Sequence, residues 1–189
     1  MTRRLLVACG LLVCMVVVGV IAVSSSRRTQ FEPRSGRLSP HETTSNTVDD
    51  ATITIDYGRP SMRGRKIFGS LVPYDRIWMP GADEATIFKT SADLRFGNVL
   101  LPAGSYSLYT LPGEAAWKLI INKQTGQWHT TYFYEEDFAR LDATIDRLPK
   151  PVERLTISAV PRAGGGGRLE LEWETTRVSV PFTVGRGGP

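Results

Sequence analysis

The stretch from Arg168 to Glu174, RLELEWE, alternates Leu169, Leu171 and Trp173 with Glu170, Glu172 and Glu174 without interruption. An alternation of period two belongs to a strand with one buried face, whereas a helix would scatter those leucines around its axis. The same grammar recurs along the chain in ATITIDY (51–57), EATIFKT (84–90), DLRFG (93–97), SYSLYTL (105–111), WKLIINK (117–123), TTYFY (130–134), RLTISAV (154–160) and RVSVPFTV (177–184). Turn-forming residues separate many of these segments: Gly97-Asn98, LPAG, LPGE, QTG and the run Gly164 to Gly167. Only EEDFARLDATIDRL (135–148) offers a helical turn or two. The pattern predicts a mainly β chain: one antiparallel β-sandwich or barrel-like domain of eight or nine short strands over residues 49–184.

The chain of 189 residues holds one such domain plus an appendage. Arg3 and Arg4 precede an uncharged run from Leu5 to Val23, and SSSRR follows. That run is longer than the roughly 7–15 apolar residues of a secretory signal and reaches the length of about 18 that can span a bilayer. Small residues at Ala22 and Ser24 also suit signal cleavage, so residues 1–25 read as a signal peptide or a membrane anchor, forming a hydrophobic helix that meets the membrane through residues 5–23. Either form keeps the basic N-terminus inside and exports the rest, which places the domain in the cell envelope. Residues 26–48 are polar and rich in Ser, Thr, Arg and Pro, and read as a disordered linker; residues 185–189 read as a flexible tail. Cys9 and Cys14, the only cysteines, lie inside the apolar run, so the domain has neither a disulfide nor a thiol nucleophile. Leu6-Val7-Ala8-Cys9 has the form of a lipoprotein box, but too few apolar residues precede it to act as a signal.

Charge excludes one class of partner. The net charge of +4 draws heavily on arginines before residue 48, and beyond that point acids and bases nearly balance. A nucleic-acid binder concentrates its basic residues in a stripe or patch, and none is present.

The stretch DYGRPSMRGRKIFG (56–69) collects Asp56, Arg59, Arg63, Arg65 and Lys66 around three glycines, directly after a strand. A phosphate cradle would need four residues between its first glycine and a Gly-Lys-Ser/Thr end; here five separate Gly58 from Gly64, and Arg65-Lys66-Ile67 follows. Metal chemistry is thinly supplied, since His41 falls in the linker and His129 stands beside Trp128 in a loop; Glu135, Glu136 and Asp137 lack a calcium-loop spacing. No serine sits in a Gly-x-Ser-x-Gly elbow, and His129 alone would have to serve as a triad base. Trp173 belongs to a core face and Trp117 opens a strand, whereas Trp78 and Trp128 sit at loop edges, where an indole either caps the domain or stacks on a ligand.

Taken together, IDYGRPSMRGRKIFGSLVPYDRIWMPGADEAT, LPAGSYSLYTLPG, WKLIINKQTGQW, KPVERLTI and LELEWETTRVSVPF resemble a bacterial family catalogued as domain of unknown function 2911, over roughly residues 49–184. The resemblance implies an exported β-rich protein and carries no activity. It assigns to the family pattern Asp56 through Ser61, Gly64, Arg65, Trp78, Gly81, Ala82, Glu84, Ala85 and Thr86. Where the pattern has a basic residue after the tryptophan and an asparagine before the glutamate, this chain has Met79 and Asp83, which makes the site less positive.

The candidate ligand-binding residues are therefore Asp56, Arg59, Arg65, Trp78, Asp83, Glu84 and Thr86, with no metal and no cofactor. The expected function is a non-catalytic module that binds a small molecule or glycan or serves structurally in the envelope. The alternative is a hydrolase using Asp56 and Glu84 as paired acid and base, with Arg59 positioning substrate.

Overall fold

The computed structural model describes residues 38–185. The expected N-terminal hydrophobic helix and the last four residues lie outside them; among the described residues no helix is long and apolar enough to cross a membrane. The elements are β1 (His41–Val48), β2 (Ala51–Gly58), β3 (Ile87–Thr90), β4 (Leu94–Phe96), β5 (Val99–Leu101), β6 (Gly104–Leu111), β7 (Trp117–Asn122), a 3-10 turn at Tyr134–Glu136, β8 (Asp137–Pro161) and β9 (Gly167–Val184). They form one nine-stranded sheet in the order β1-β2-β3-β6-β7-β8-β9-β4-β5, every pairing antiparallel. The chain is thus mainly β, as expected, and the ladder does not close into a complete barrel.

Two features depart from the sequence reading, each for a local reason. His41–Val48, expected in the linker, is a full strand: it pairs residue for residue with β2 from His41↔Gly58 to Val48↔Ala51. Its sequence HETTSNTV shows little apolar alternation, so its order comes from its neighbours. A two-residue turn with Asp49 in the left-handed region (φ 49°) fixes the hairpin, and the Thr44 hydroxyl donates to the Ile157 carbonyl on β8 at 3.2 Å. The second departure is that 137–148, directly after the 3-10 turn, is strand continuous with 154–160, while TTYFY (130–134) is not a strand. β8 pairs first with β7 and then with β9, and its register with β9 slips between Arg147 and Val152, where Pro149 and Pro151 interrupt the ladder. The slip absorbs the prolines as a bulge, and Glu174 on the facing strand answers with φ 54°.

The curled sheet encloses the main core. Ile53, Ile55 and Tyr57 of β2, Phe88 of β3, Leu108 of β6, Trp117 and Leu119 of β7, Leu155 and Ile157 of β8 and Leu171 and Trp173 of β9 all point inward. The first strands reach the far half of β8 without a ladder. Leu155 N donates to Pro60 O (3.0 Å), Met62 N to Glu153 O (2.8 Å) and Ile157 N to the Tyr57 hydroxyl oxygen (3.0 Å). Burial raises the Tyr57 pKa above its usual value, against the opposing effect of that Ile157 bond. A second, smaller cluster lies on the outer face: Met79, Ala85, Tyr109 and Ile120, joined by Ile77, Ile87, Leu111 and Tyr132. Two loops, 77–86 and 124–132, bring residues to it from outside the sheet.

Candidate functional site

Strand parity decides which of the expected site residues can meet. Ile55 and Tyr57 point into the core, so Asp56 points out, and Arg59, two residues beyond Tyr57, returns to the inner side. The charged set of the 56–69 stretch is therefore divided between the two faces of the sheet.

On the inner side all three bonding groups of the Arg59 guanidinium are engaged. Nε donates to Leu155 O (2.8 Å), Nη1 to Glu42 Oε2 (2.7 Å) and Nη2 to Thr156 Oγ1 (2.8 Å), so the side chain ties β1, β2 and β8 together. Arg65 curls over its own loop, donating Nε to Met62 O (2.9 Å) and Nη2 to Ser61 O (2.8 Å). Arg63 donates to Leu38 O at 2.9 Å. Trp78 stacks on Trp173 (centroids 6.0 Å, planes 15° apart) and meets Phe68 edge-on, while its backbone pairs with Thr110. It is part of the aromatic core. Thr86 is fully buried and holds its own loop: Oγ1 donates to Pro80 O (2.6 Å), and N–H to the Met79 sulfur (3.2 Å).

The outer face gathers a different set. Thr43 and Asp56 are register partners on β1 and β2, and His41 lies two residues before Thr43 on the same face. Asp56 Oδ1 accepts from His41 Nε2 (2.7 Å) and from Thr43 Oγ1 (2.9 Å). The register partner of His41 is Gly58, and the 80–86 loop passes directly over that glycine. A Cβ on Gly58 would stand 2.1 Å from Ala82 O, so only glycine allows the crossing. The crossing delivers Glu84, whose Oε2 lies 3.9 Å from His41 Nδ1. The imidazole thus stands between the two carboxylates, with side-chain exposures of 33% for His41, 40% for Asp56 and 15% for Glu84.

Asp83 precedes it in the left-handed region (φ 66°), a conformation that Asp and Asn tolerate better than most residues. Its carbonyl accepts twice from His129, from the backbone N–H (3.0 Å) and from Nδ1 (2.6 Å). Because a carbonyl only accepts, Nδ1 carries the proton, and Nε2 of the neutral ring is an acceptor. Glu84 and Trp128 form an antiparallel bridge, which sets their side chains on the same side of the two segments. Trp128 is 48% exposed, and its ring centroid lies 5.4 Å from that of His129.

Hydrogen bonds tie the base of this region together. Gln127 Nε2 donates to Ser107 Oγ (2.9 Å) and to the Tyr109 hydroxyl (2.8 Å), and Ser107 Oγ donates to Gln124 O. Beyond it, Asp137 accepts from Asn122 Nδ2 (2.9 Å), Tyr132 (2.6 Å) and Arg140 Nε (2.8 Å). Burial, then the bond to Asp137, pushes the Tyr132 pKa up to about 12.

The structure therefore brings Asp56, Asp83 and Glu84 to one region and sends Arg59, Arg65, Trp78 and Thr86 elsewhere. Sequence reasoning missed His41 and Thr43, whose strand it read as linker, and weighed Trp128 and His129 without choosing them. The available signal was that histidine is scarce, with two in the chain, and that Trp128 is one of two loop-edge tryptophans. Among the described residues, no three His, Cys, Asp or Glu side chains are grouped to hold a metal ion. Thr43 donates to Asp56 rather than to the imidazole, so it is not set up as a nucleophile. For paired-acid chemistry, His41 fills the space between Asp56 and Glu84, and Arg59 is committed to β8. An interior void bordered by Leu108, Leu119, Leu171 and Val178 measures ≈ 10 Å³, enough for about one water.

Searches of curated proteins and of solved structures returned no match. A family profile matches residues 39–182, beginning just before β1 and ending within β9. The chain belongs to the family described as "Protein of unknown function (DUF2911)".

Proposed function

We propose that this chain is an exported envelope protein whose β domain is a non-catalytic binding module, with its seat on the outer face at Trp128, Glu84, Asp83, His129 and the His41–Asp56 pair. The observation that carries the reading is the exposed Trp128 indole, held by backbone pairing beside Glu84 and next to an imidazole of fixed tautomer. A large aromatic face with a few placed polar groups is the usual composition of a small-molecule seat. Export is supported by Arg3 and Arg4 ahead of the uncharged Leu5–Val23 run, with both cysteines confined to that run.

The test labels the four tryptophans of the full-length chain with 5-fluorotryptophan and assigns the Trp128 resonance with Trp128→Phe. A panel of neutral oligosaccharides, sugar acids, amino acids and polyamines is then titrated. The expected result is that one class moves the Trp128 resonance and leaves those of Trp78, Trp117 and Trp173 in place. A panel that moves no resonance, or a ligand that moves only a core tryptophan, overturns the reading. Export is checked by protease added to intact cells, which should cleave the domain only once the outer barrier is opened.

A further inference from the structure

We propose that the end of the domain where the chain enters is a docking surface for an anionic phospholipid bilayer, built from Arg63, Arg65, Lys66, Lys150 and Arg154 around the exposed Leu38 and Leu71. The inference uses the membrane tether proposed above and is independent of the Trp128 seat. No continuous stretch of the sequence is a basic stripe, but the fold assembles one from two segments far apart in the chain. Ser61 and Arg154 form an antiparallel bridge, Met62 N donates to Glu153 O (2.8 Å), and the amides of Ile67 and Phe68 each donate to Glu174 Oε2 on β9 (3.3 Å). SMRGRKIF (61–68) therefore lies beside the β8 bulge, RLPKPVER (147–154), and the two segments carry six basic residues against the single carboxylate of Glu153. All six are exposed, and among the described residues none of them is in an ion pair. Arg65 donates to the Met62 and Ser61 carbonyls and Arg63 to the Leu38 carbonyl, neutral partners that leave both charges uncompensated.

Position supplies the second argument. Arg63 Nη2 holds Leu38 O at 2.9 Å, so the chain enters the domain at this patch. Residues 24–37 separate Leu38 from the uncharged Leu5–Val23 run, a length of at most about 50 Å when fully extended. So short a tether keeps the entry end at high effective concentration near any surface that holds the run. Leu38 is 76% exposed and Leu71 45%, and Leu71 N is bonded to Lys66 O (3.4 Å), beside the cations. Basic residues around exposed leucines suit a surface of phosphate headgroups over acyl chains. A single small anion would instead be gripped by converging donors. Here the Arg63 and Arg65 forks are turned to main-chain oxygens, and their charge acts as a field over the surface.

The experiment places the full-length chain in nanodiscs of phosphatidylcholine alone, or of an equal mixture with phosphatidylglycerol, and follows amide hydrogen exchange. Amides of 62–72 and 148–154 are expected to exchange about tenfold more slowly in the anionic discs, and high salt to remove the difference. Amides of Gly164–Gly167, which meet the Asp49 turn at the far end of the β1–β2 hairpin, should not change. Lys66→Glu combined with Lys150→Glu alters two exposed side chains, and should abolish the slowing while leaving the thermal melt of the parent. Equal exchange in the two kinds of disc, or slowing that survives the double variant, overturns the docking surface and leaves the tether standing. Equivalent slowing in neutral discs on adding inorganic phosphate or a single-stranded oligonucleotide overturns the choice of lipid in favour of that anion. A chain that enters neither disc overturns the tether and the docking surface together, and the Trp128 seat still stands or falls by its own titration.

Discussion

Trp78 and Trp128 occupy similar settings in the sequence, each at a loop edge beside a polar cluster, and the fold gives them opposite fates. Trp78 is drawn inward, stacked on Trp173 at 15° and touched by Phe68, and its loop is locked by Thr86 and Met79. Trp128 remains on the outer face, 48% exposed, bridged to Glu84 through its backbone and in ring contact with His129. The charged residues of 56–69 divide in the same way, with Arg59 on the inner side and Asp56 on the outer. Arg59 is a tie between strands, and the outer region contains carboxylates and imidazoles. A cluster of polar letters in a sequence therefore carries two populations, and the face of the sheet decides which is structural.

The comparison breaks first at the inner aromatic cluster. Trp173→Ala, at 2% exposure and in contact with Phe68 and Trp78, is expected to lose about 3–5 kcal/mol, read as a shifted denaturant midpoint. A loss under about 1 kcal/mol would show that the two regions do not differ in kind. Next in size is Gly58→Ala, which drives a methyl group into Ala82 O and should cost about 2–3 kcal/mol. It should also alter the His41–Glu84 contact, visible as a changed His41 ring signal by NMR.

Arg59→Ala should cost about 2 kcal/mol, because it removes three bonds from a partly buried guanidinium while its Glu42 partner still reaches water. Arg65→Ala, on an exposed loop, should stay within about 0.5 kcal/mol, and equal effects at the two positions would erase the distinction.

A smaller, pH-dependent effect sharpens the outer region. Tyr132 is held protonated to about 12 against 10.0 in the unfolded chain, so the folded state keeps a proton that the unfolded state releases first. Its stabilisation is fully present below pH 10.0 and is lost as pH rises through about 12. Tyr57, Tyr106 and Tyr109 are raised in the same direction by burial. Tyr132→Phe should flatten the decline in stability between those pH values, and an unchanged slope would remove Tyr132 from the account. The smallest effect belongs to Trp128→Ala, which should leave the melting curve within about 0.5 kcal/mol of the parent. A large loss there would turn the outer tryptophan into a structural one.

Much of the sheet was legible because alternation records burial directly. ATITIDY, SYSLYTL, WKLIINK and RLELEWE all appear as strands, or within one, where their apolar residues repeat every second position. β1 escaped because it is an edge strand of threonines and polar residues, ordered by its hairpin and by β8 rather than by its own hydrophobicity. The single long β8 escaped because Pro149 and Pro151 look like an ending, and a bulge is visible only against the partner strand. Of the candidate site, Asp56, Asp83 and Glu84 were named from sequence. Their grouping with His41 was not, because it depends on a loop crossing Gly58 and on a register that no local pattern states.

The sequence by itself determined the β class, the direction in which Asp56 and the core residues point, and membership of the family, since each follows from local alternation or from ordered motifs. Only the tertiary structure decided which tryptophan is core and which is exposed, that Arg59 binds β8, and that His41 meets Asp56 and Glu84. Those outcomes depend on pairings between segments tens of residues apart, such as His41 with Gly58 and Glu84 with Trp128. Their energies come from contacts that exist only once the sheet has curled, and a linear pattern holds no record of them.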